Sequence, residues 1–184
     1  MMTLQKEQRM ALVQRDCPAR LVPSGEPITI ARNTFVTITQ AKGGTYTVTH
    51  KGNMARIDGT DADALGLEPV ELHFTPFDDN HFHKEHAWEA LSTVYDPEIP
   101  VNIVELGLVY DVDFIPAADH KTDVLVTMTL TSPTCGMGQV LTDDVRYRLQ
   151  KVPHIGSVDV NIVFDPPWDR DRISDEAKLE LGLL

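Results

Sequence analysis

The segment of residues 131–138, TSPTCGMG, contains the side chains of this 184-residue chain that are best suited to chemistry. It lies between an alternating apolar run and a helical pattern. Cys135 is therefore expected beside the N–H groups of a helix start, which stabilise a thiolate. Gly136 and Gly138 let backbone amides approach a bound group closely. The hydroxyls that can donate a hydrogen bond to sulfur or to a ligand belong to Thr131, Ser132 and Thr134. The competing interpretation is a small buried cysteine in a turn.

Two carboxylates, Asp96 and Glu98, lie one residue apart in the segment DPEIP, which its two prolines make rigid. Such a pair can bind a hard cation, or it can pair with a base or with basic residues of a partner. The competing interpretation is an ordinary polar connector, in which Asp96 lies near the end of a helix.

Cys17 and four histidines are further candidates for thiol or metal chemistry. Arg15 and Arg20 would lower the pKa of Cys17 if they pointed toward it; otherwise Cys17 is a core or edge residue. The pattern HxHxxH binds a transition metal when it is ordered. In a flexible linker these ligands are not preorganised, so the sequence favours ordinary polar side chains at His73, His81, His83 and His86.

In the first part of the chain, the elements that must position these residues are predicted to be β-strands. Residues 34–40 and 45–50 alternate on either side of the turn sequence AKGG, which predicts a hairpin. Further short strands are expected at residues 28–30 and 53–57. We therefore predict a small β module, a barrel or a sandwich, over residues 1–72.

Residues 73–83 combine proline with a polar run and are predicted to link this module to a second domain, residues 84–184. The second domain alternates in the order α-β-β-α-β-α, which predicts an α+β fold with helices packed on a three-stranded sheet. The first helix is predicted over residues 84–95, with Trp88, Leu91 and Tyr95 on one face. Other positional predictions are a capped turn from Asn102 to Gly107, a helical stripe from Leu141 to Val152, a lid at Trp168 and a helix cap at Ser174.

The balance of charge excludes several function classes. Lys and Arg number 16 against 28 Asp and Glu, and the net charge of −12 disfavours binding to a phosphate backbone. The excess of acidic residues is concentrated in residues 81–184. Two cysteines are too few for a four-thiolate zinc site in one chain. The sequence shows neither a membrane-length apolar run nor a signal-like start, so we expect a cytoplasmic protein that does not enter a membrane.

Three motifs of the second half, taken together, resemble the PaaD-like family of iron–sulfur cluster assembly factors. They are DPEIPVNIVELGLVY, TLTSPTCGMG and DPPWDRDRISDEAKLELGL, and the resemblance covers about residues 82–184. In the first half, the sequences RDC, PSG, ITQAKGGTYTV, GNMARI and DADALG resemble the N-terminal extension of the SufT branch of that family.

The resemblance implies a role in maturing iron–sulfur proteins, with client apoproteins and cluster scaffold proteins as partners. By the same resemblance the reactive cysteine is Cys135, the motif carboxylates are Asp96 and Glu98, and the loop threonines are Thr131 and Thr134. The family loop often has proline after the cysteine, where this chain has Gly136. The cargo is inferred from the residues and not from the resemblance: a soft thiolate suits iron, so we expect a transiently held cluster or iron, with Cys17 as a weaker candidate ligand.

Two alternatives remain open beside that implication, which itself favours a protein that is not an enzyme. One is a metal-free adapter whose acidic second half docks on basic surfaces. The other is an enzyme with a cysteine nucleophile that acts on a thioester or a persulfide. One thiolate per chain cannot complete a simple cluster, so a carrier would need a homo-oligomer, a partner's cysteines or a small external thiol.

Overall fold

The computed structural model describes residues 9–133, 136 and 138–184. The chain divides into two compact units, Met1–Glu71 and Leu72–Leu184. Each unit buries an apolar core of its own. None of the helices in the described residues combines the length and the apolar character that crossing a membrane requires.

Within residues 9–71, six strands form one antiparallel sheet in the order β1-β4-β5-β6-β2-β3. The strands are β1 (Arg9–Leu12), β2 (Cys17–Val22), β3 (Pro27–Ile30), β4 (Phe35–Lys42), β5 (Thr45–His50) and β6 (Asn53–Asp58). A 3₁₀ turn, Gly59–Leu65, follows β6. Because side chains alternate along a strand, one face carries the core residues Val36, Ile38, Val48 and Ile57.

The predicted hairpin is confirmed by the pairing of β4 with β5. Lys42 lies opposite Thr45, which leaves Gly43 and Gly44 as a two-residue connection with φ of 62° and 76°. Positive φ at both positions is what a tight hairpin turn requires, and glycine adopts it without steric cost.

The described part of residues 72–184 forms three longer helices and a three-stranded sheet. The elements are α1 (Lys84–Leu91), β7 (Val109–Pro116), β8 (Thr122–Met128), α2 (Gly138–Leu149), β9 (Ile155–Ile162) and α3 (Asp175–Glu180). A short 3₁₀ turn, Arg170–Arg172, precedes α3. The sheet order is β7-β8-β9, antiparallel between β7 and β8 and parallel between β8 and β9. The predicted α+β class and the order α-β-β-α-β-α are confirmed.

Helix α2 is the crossover that a parallel β8–β9 pair needs. Its residues Leu141, Val145 and Leu149 are buried, as the helical stripe predicted, and they share the core with Val126 and Met128 of β8. The opposite face of the sheet is exposed and acidic, with Asp111 and Asp113 on β7 and Asp159 on β9.

The prediction for the first helix was wrong in length and partly wrong in its buried face. Helix α1 ends at Leu91, and Tyr95 lies beyond it in a bridge with Asn102. Trp88 is 37% exposed, whereas Ala87 and Ala90 are fully buried beside Leu91. Small side chains let a helix pack closely on its neighbours, so the alanines face the core and the larger aromatic ring does not.

Candidate functional site

Strand β8 leads directly into the segment predicted to carry chemistry, and helix α2 begins at its end. Cys135 and Thr134 lie outside the described residues, so their positions stay predictions. The described residues of the segment include Thr131 and Ser132, which are half-buried, and Gly136, which is exposed.

The two ends of this loop are held close to each other. A Cβ atom on Gly138 would lie 2.9 Å from Leu130 Cδ1, so a larger residue at the helix start would require the end of the Leu130 side chain to shift. The hydroxyl of Thr142 donates to the Gly138 carbonyl at 2.8 Å. Gly136 differs from Gly138, because a Cβ there would meet nothing within 4 Å. Of these two glycines, Gly138 is therefore the one that lies close to the end of the strand.

Thr129, two residues before the loop, is a polar residue that the sequence pattern did not single out. It is fully buried, and its backbone N–H donates to Leu108 O at 2.9 Å. Its hydroxyl Oγ1 is buried and has no hydrogen-bond partner among the described residues. Strand alternation alone indicated a side chain on the solvent side of the sheet, so the sequence held no signal for this burial.

The two carboxylates of the DPEIP segment have different surroundings. Asp96 is 6% exposed, and its Oδ1 accepts hydrogen bonds from the backbone N–H groups of Glu98 and Ile99, at 2.8 and 2.9 Å. This oxygen fixes the turn, as aspartate commonly does before proline. Glu98 is exposed at the surface. The structure therefore gives Asp96 a structural task and leaves Glu98 facing solvent.

The segment after DPEIP is tied to the C-terminal part of the unit. Asn102 Oδ1 accepts from the N–H groups of Val104 and Glu105 at 3.0 Å, which confirms the predicted capped turn. A Cβ on Gly107, whose φ is 71°, would lie 2.3 Å from Arg172 O. The indole of Trp168 donates to Leu106 O at 2.7 Å.

The predicted cap of the last helix is also confirmed, since Ser174 Oγ accepts from Ala177 N at 3.1 Å. Ser174 additionally contacts the Glu105 carboxylate through its side chain and the Glu105 carbonyl through its backbone N–H. Trp168 and Ser174 both belong to the C-terminal motif DPPWDRDRISDEAKLELGL. Through their hydrogen bonds, this motif is held to the Asn102–Gly107 turn at two points.

Cys17 lies in the core of the first unit and is fully buried. Burial raises the pKa of its thiol to about 11, and the nearby Asp61 carboxylate adds to that rise. Arg15 opposes the rise only weakly, because its guanidinium is bound to Asp61 at 2.9 Å and Asp63 at 2.7 Å. These surroundings disfavour a thiolate, which is the form that binds metal.

The linker histidines make local contacts. His83 Nε2 pairs with Asp79 Oδ1 at 2.6 Å, which lowers the pKa of that carboxyl, and the His83 ring stacks on Phe77 with centroids 3.6 Å apart. His86 is buried and its Nε2 lies 2.6 Å from the Thr75 carbonyl oxygen. Among the residues that the structure describes, His, Cys, Asp and Glu side chains form no group of three or more that could hold a metal ion.

Comparison with known proteins agrees with this fold and these motifs. Residues 84–162 match the family described as iron–sulfur cluster assembly protein. The chain is 48% identical, over 101 residues, to the Fe-S protein maturation auxiliary factor of Porphyromonas gingivalis, covering 55% of this chain and 92% of that protein. It is 44% identical over 100 residues to the Fe-S protein maturation auxiliary factor YitW of Bacillus subtilis, covering 54% and 94%.

A solved structure is also similar, the crystal structure of a domain of unknown function from Bacillus anthracis. The identity is 41%, the TM-score is 0.47, and the match covers 53% of this chain and 90% of that one. The class of protein that the family match and the sequence relatives define is the iron–sulfur cluster assembly proteins. The chain belongs to that family, and the family match lies within its second unit.

Proposed function

We propose that this protein is a maturation factor for iron–sulfur proteins and that Cys135 is the thiolate ligand for transiently held iron or a cluster. The observation that carries the proposal is the family match over residues 84–162, which includes both the DPEIP segment and the Cys135 loop. Relatives that the chain covers over nine-tenths of their length are named Fe-S protein maturation auxiliary factors.

The contrast between the two cysteines supports the choice of Cys135. The chain has two cysteines, and burial disfavours ionisation of Cys17. A thiolate role therefore falls on Cys135, which precedes helix α2 by three positions. Soft thiolates are the ligands that iron in clusters prefers.

A single thiolate leaves the other positions of a cluster to be filled from elsewhere. Cysteines of a client apoprotein, of a scaffold protein or of a second copy of this chain would supply them. An incompletely ligated cargo exchanges readily, and exchange is the property that delivery to a client requires. The exposed Glu98 lies in the same matched segment and is the motif carboxylate that lies at the surface.

The test is restoration of client enzymes in a strain that lacks this protein. Cys135→Ser is expected to lose most of the iron–sulfur enzyme activity that the wild-type chain restores, and Cys17→Ser, the matched control, is expected to retain it wherever it accumulates normally. Restoration by Cys135→Ser to the wild-type level would contradict the proposal.

A second candidate, a metal-free adapter, is favoured by the acidic face of the second unit. Asp113 on β7 and Asp159 on β9 lie on either side of Leu125 of β8 in the sheet register, and Asp111 lies one row away. A basic partner surface would complement this face. The double change Asp113→Asn with Asp159→Asn would then weaken client binding and its salt dependence, while Cys135→Ser would leave binding unchanged.

A further inference from the structure

The structure gives different surroundings to the three histidines of the HxHxxH pattern. In the two later ones a ring nitrogen already has a partner, since Nε2 of His83 pairs with Asp79 Oδ1 and Nε2 of His86 lies 2.6 Å from the Thr75 carbonyl oxygen. His81 is exposed, and no hydrogen bond joins its ring to the described residues. Of the three, His81 is therefore the one whose ring nitrogens are not already engaged within the described part of the chain.

The ring beside His81 belongs to His120, which lies far away in the sequence. The two ring centroids are 5.9 Å apart, and the rings meet edge to face at 68°. Both residues are exposed, and the ring of His120, like that of His81, has no hydrogen bond with the described residues. Both line one open cavity of about 590 Å³ in the second unit. The fold therefore brings together two imidazoles that the sequence pattern does not associate.

A tight turn holds His120 in place. Asp119 and His120 are the central residues of the connection between β7 and β8, and each has φ of 60°. The N–H of Lys121 closes the turn by donating to Ala118 O at 3.2 Å. Positive φ at both central positions is the geometry of a two-residue hairpin turn, for which Asn-Gly is the favoured sequence. The turn fixes the backbone of His120 but does not itself explain a histidine at this position.

The linker holds His81 in place from the other side. Phe82, the next residue, packs against the core of the second unit, and its ring lies against Phe114 of β7 with centroids 5.6 Å apart. The backbone N–H of His81 donates to Asp79 Oδ1 at 3.3 Å. These contacts place His81 next to the strand that leads into the turn of His120, so both imidazoles extend from anchored backbone.

We propose that His81 and His120 form a binding site for a divalent transition-metal ion such as Zn²⁺, and that the bound ion joins the linker to the turn between β7 and β8. Imidazole nitrogen is a preferred ligand of these ions and coordinates zinc at about 2.0–2.1 Å. Each ring centre then lies about 3 Å from the ion, and two rings on one tetrahedral ion have centres about 5 Å apart. The observed 5.9 Å is close to this value, and exposed rings reorient rapidly.

The other groups of the cavity fit a site with two protein ligands. The His, Cys, Asp and Glu side chains of the described residues form no group of three that could hold an ion, so solvent water completes the coordination. Asp119 attracts a cation and Lys121 repels it, which leaves the two imidazoles to decide the affinity. The inference does not depend on the proposed function, because the pair contains no thiol and Cys135 takes no part in it.

Zinc titration of the untagged full-length chain, followed by isothermal titration calorimetry near neutral pH, tests the site. The parent protein carries Cys135→Ser, because the loop thiolate would also bind zinc. Burial already disfavours metal binding by Cys17. His81→Asn and His120→Asn are each expected to weaken zinc binding about tenfold or more, since one imidazole then remains instead of two. Asparagine is used because it tolerates the positive φ at position 120.

His83→Asn is the matched control, since it removes a histidine that the sequence pattern includes and the proposed pair excludes. It is expected to keep the affinity of the parent. Urea unfolding without zinc is expected to be unchanged by His81→Asn and His120→Asn, because the substituted side chains are exposed. In NMR spectra of the imidazole nitrogens, zinc below one equivalent is expected to shift the signals of His81 and His120 together and to leave those of His83 and His86 in place.

The inference is overturned if the parent binds no zinc. It is also overturned if His83→Asn weakens binding as much as His81→Asn while His120→Asn does not, which would return the site to HxHxxH. A similar small loss in all three variants would show adventitious binding only and would overturn it as well.

The Cys135→Ser parent separates this inference from the proposed function. Zinc binding by the wild type that disappears in this parent would place the ion at the loop, so the inference would fail while the proposed function stood. Zinc bound by the histidine pair in the parent, together with full restoration of client enzymes by Cys135→Ser, would support the inference and contradict the proposed function alone.

Discussion

In the first unit, Arg15 is 41% exposed at its side chain and binds the buried carboxylate of Asp61 and the exposed carboxylate of Asp63. In the second unit, Arg148 is 2% exposed and donates to Thr93 O at 2.8 Å. The capping aspartates differ in a similar way, because Asp58 is itself half-buried and Asp96 is itself buried. The first unit therefore pairs its buried carboxylate, Asp61, with a partly exposed arginine, whereas the second unit buries the whole of Arg148 to hold a connecting segment in place.

This difference indicates where each unit has room for chemistry. A thiol in an apolar core resists ionisation, as Cys17 does. In the second unit, the Cys135 segment lies in sequence between two hydrogen-bonded points, since the N–H of Thr129 donates to Leu108 O and the hydroxyl of Thr142 donates to Gly138 O.

The largest expected effect concerns the two arginines. Arg148→Ala is expected to lower the free energy of unfolding by about 3–4 kcal/mol, because it leaves a cavity and an unsatisfied carbonyl at Thr93. Arg15→Ala is expected to cost less, about 1–2 kcal/mol, since Arg15 and Asp63 are exposed and contribute little, while the other partner, Asp61, is buried. Urea unfolding of both variants measures the two values, and equal costs would remove the contrast between the units.

The next effect compares two glycines with the same backbone conformation. Gly107 and Gly52 have φ of 71° and 79°, but an added Cβ meets Arg172 O at 2.3 Å in the first case and open space in the second. Gly107→Ala is expected to cost about 2–4 kcal/mol through strain and overlap. Gly52→Ala is expected to cost about 1 kcal/mol through conformation alone. If the two costs were the same in urea unfolding, the close approach at Gly107 would be contradicted.

A smaller effect is expected from the two capping aspartates. Asp96→Ala removes a buried carboxylate that accepts from two N–H groups, those of Glu98 and Ile99, at a cost of about 1–3 kcal/mol. Asp58→Ala is expected to cost about 0.5–1 kcal/mol, because the half-buried Asp58 caps one N–H group, that of Thr60. Thermal unfolding measures both variants. A larger loss for Asp58→Ala would reverse this contrast between the units.

The smallest effect at neutral pH is that of the Cys17 thiol, whose pKa rises in the fold from 9.0 to about 11. Below pH 9 both the folded and the unfolded chain hold this proton, and the contribution is fully present. Between pH 9 and about 11 the unfolded chain releases it first, so stability falls as pH rises. Cys17→Ala is expected to remove this fall, so a plot of the urea unfolding midpoint against pH becomes flatter between pH 9 and about 11. An unchanged slope would contradict the burial of this thiol.

Features governed by neighbours in sequence were predictable from the residues. The Gly43-Gly44 hairpin, the caps at Asn102 and Ser174 and the apolar stripe of α2 each depend on a few consecutive residues or on one helical period. These local signals, combined with the order of elements, were sufficient for the α+β class.

Features governed by distant neighbours were not predictable. Cys17 is buried because β2 lies between β6 and β3, and no local pattern states that order. The length of α1 and the exposure of Trp88 depend on which residues face the core of the second unit. Thr129 follows a half-exposed alternation, so its burial depends on packing remote in sequence. The role of Cys135 stays a prediction, since it lies outside the described residues.

The most direct test of the central claim is the iron and acid-labile sulfide content of untagged, anaerobically purified wild type, Cys135→Ser and Cys17→Ser, with their visible absorption spectra. The account predicts iron and sulfide in the wild type and in Cys17→Ser, and their loss in Cys135→Ser. Equal iron and sulfide in Cys135→Ser would contradict the assignment of the ligand. A wild type that takes up no iron even after reconstitution would contradict the carrier role and favour the adapter.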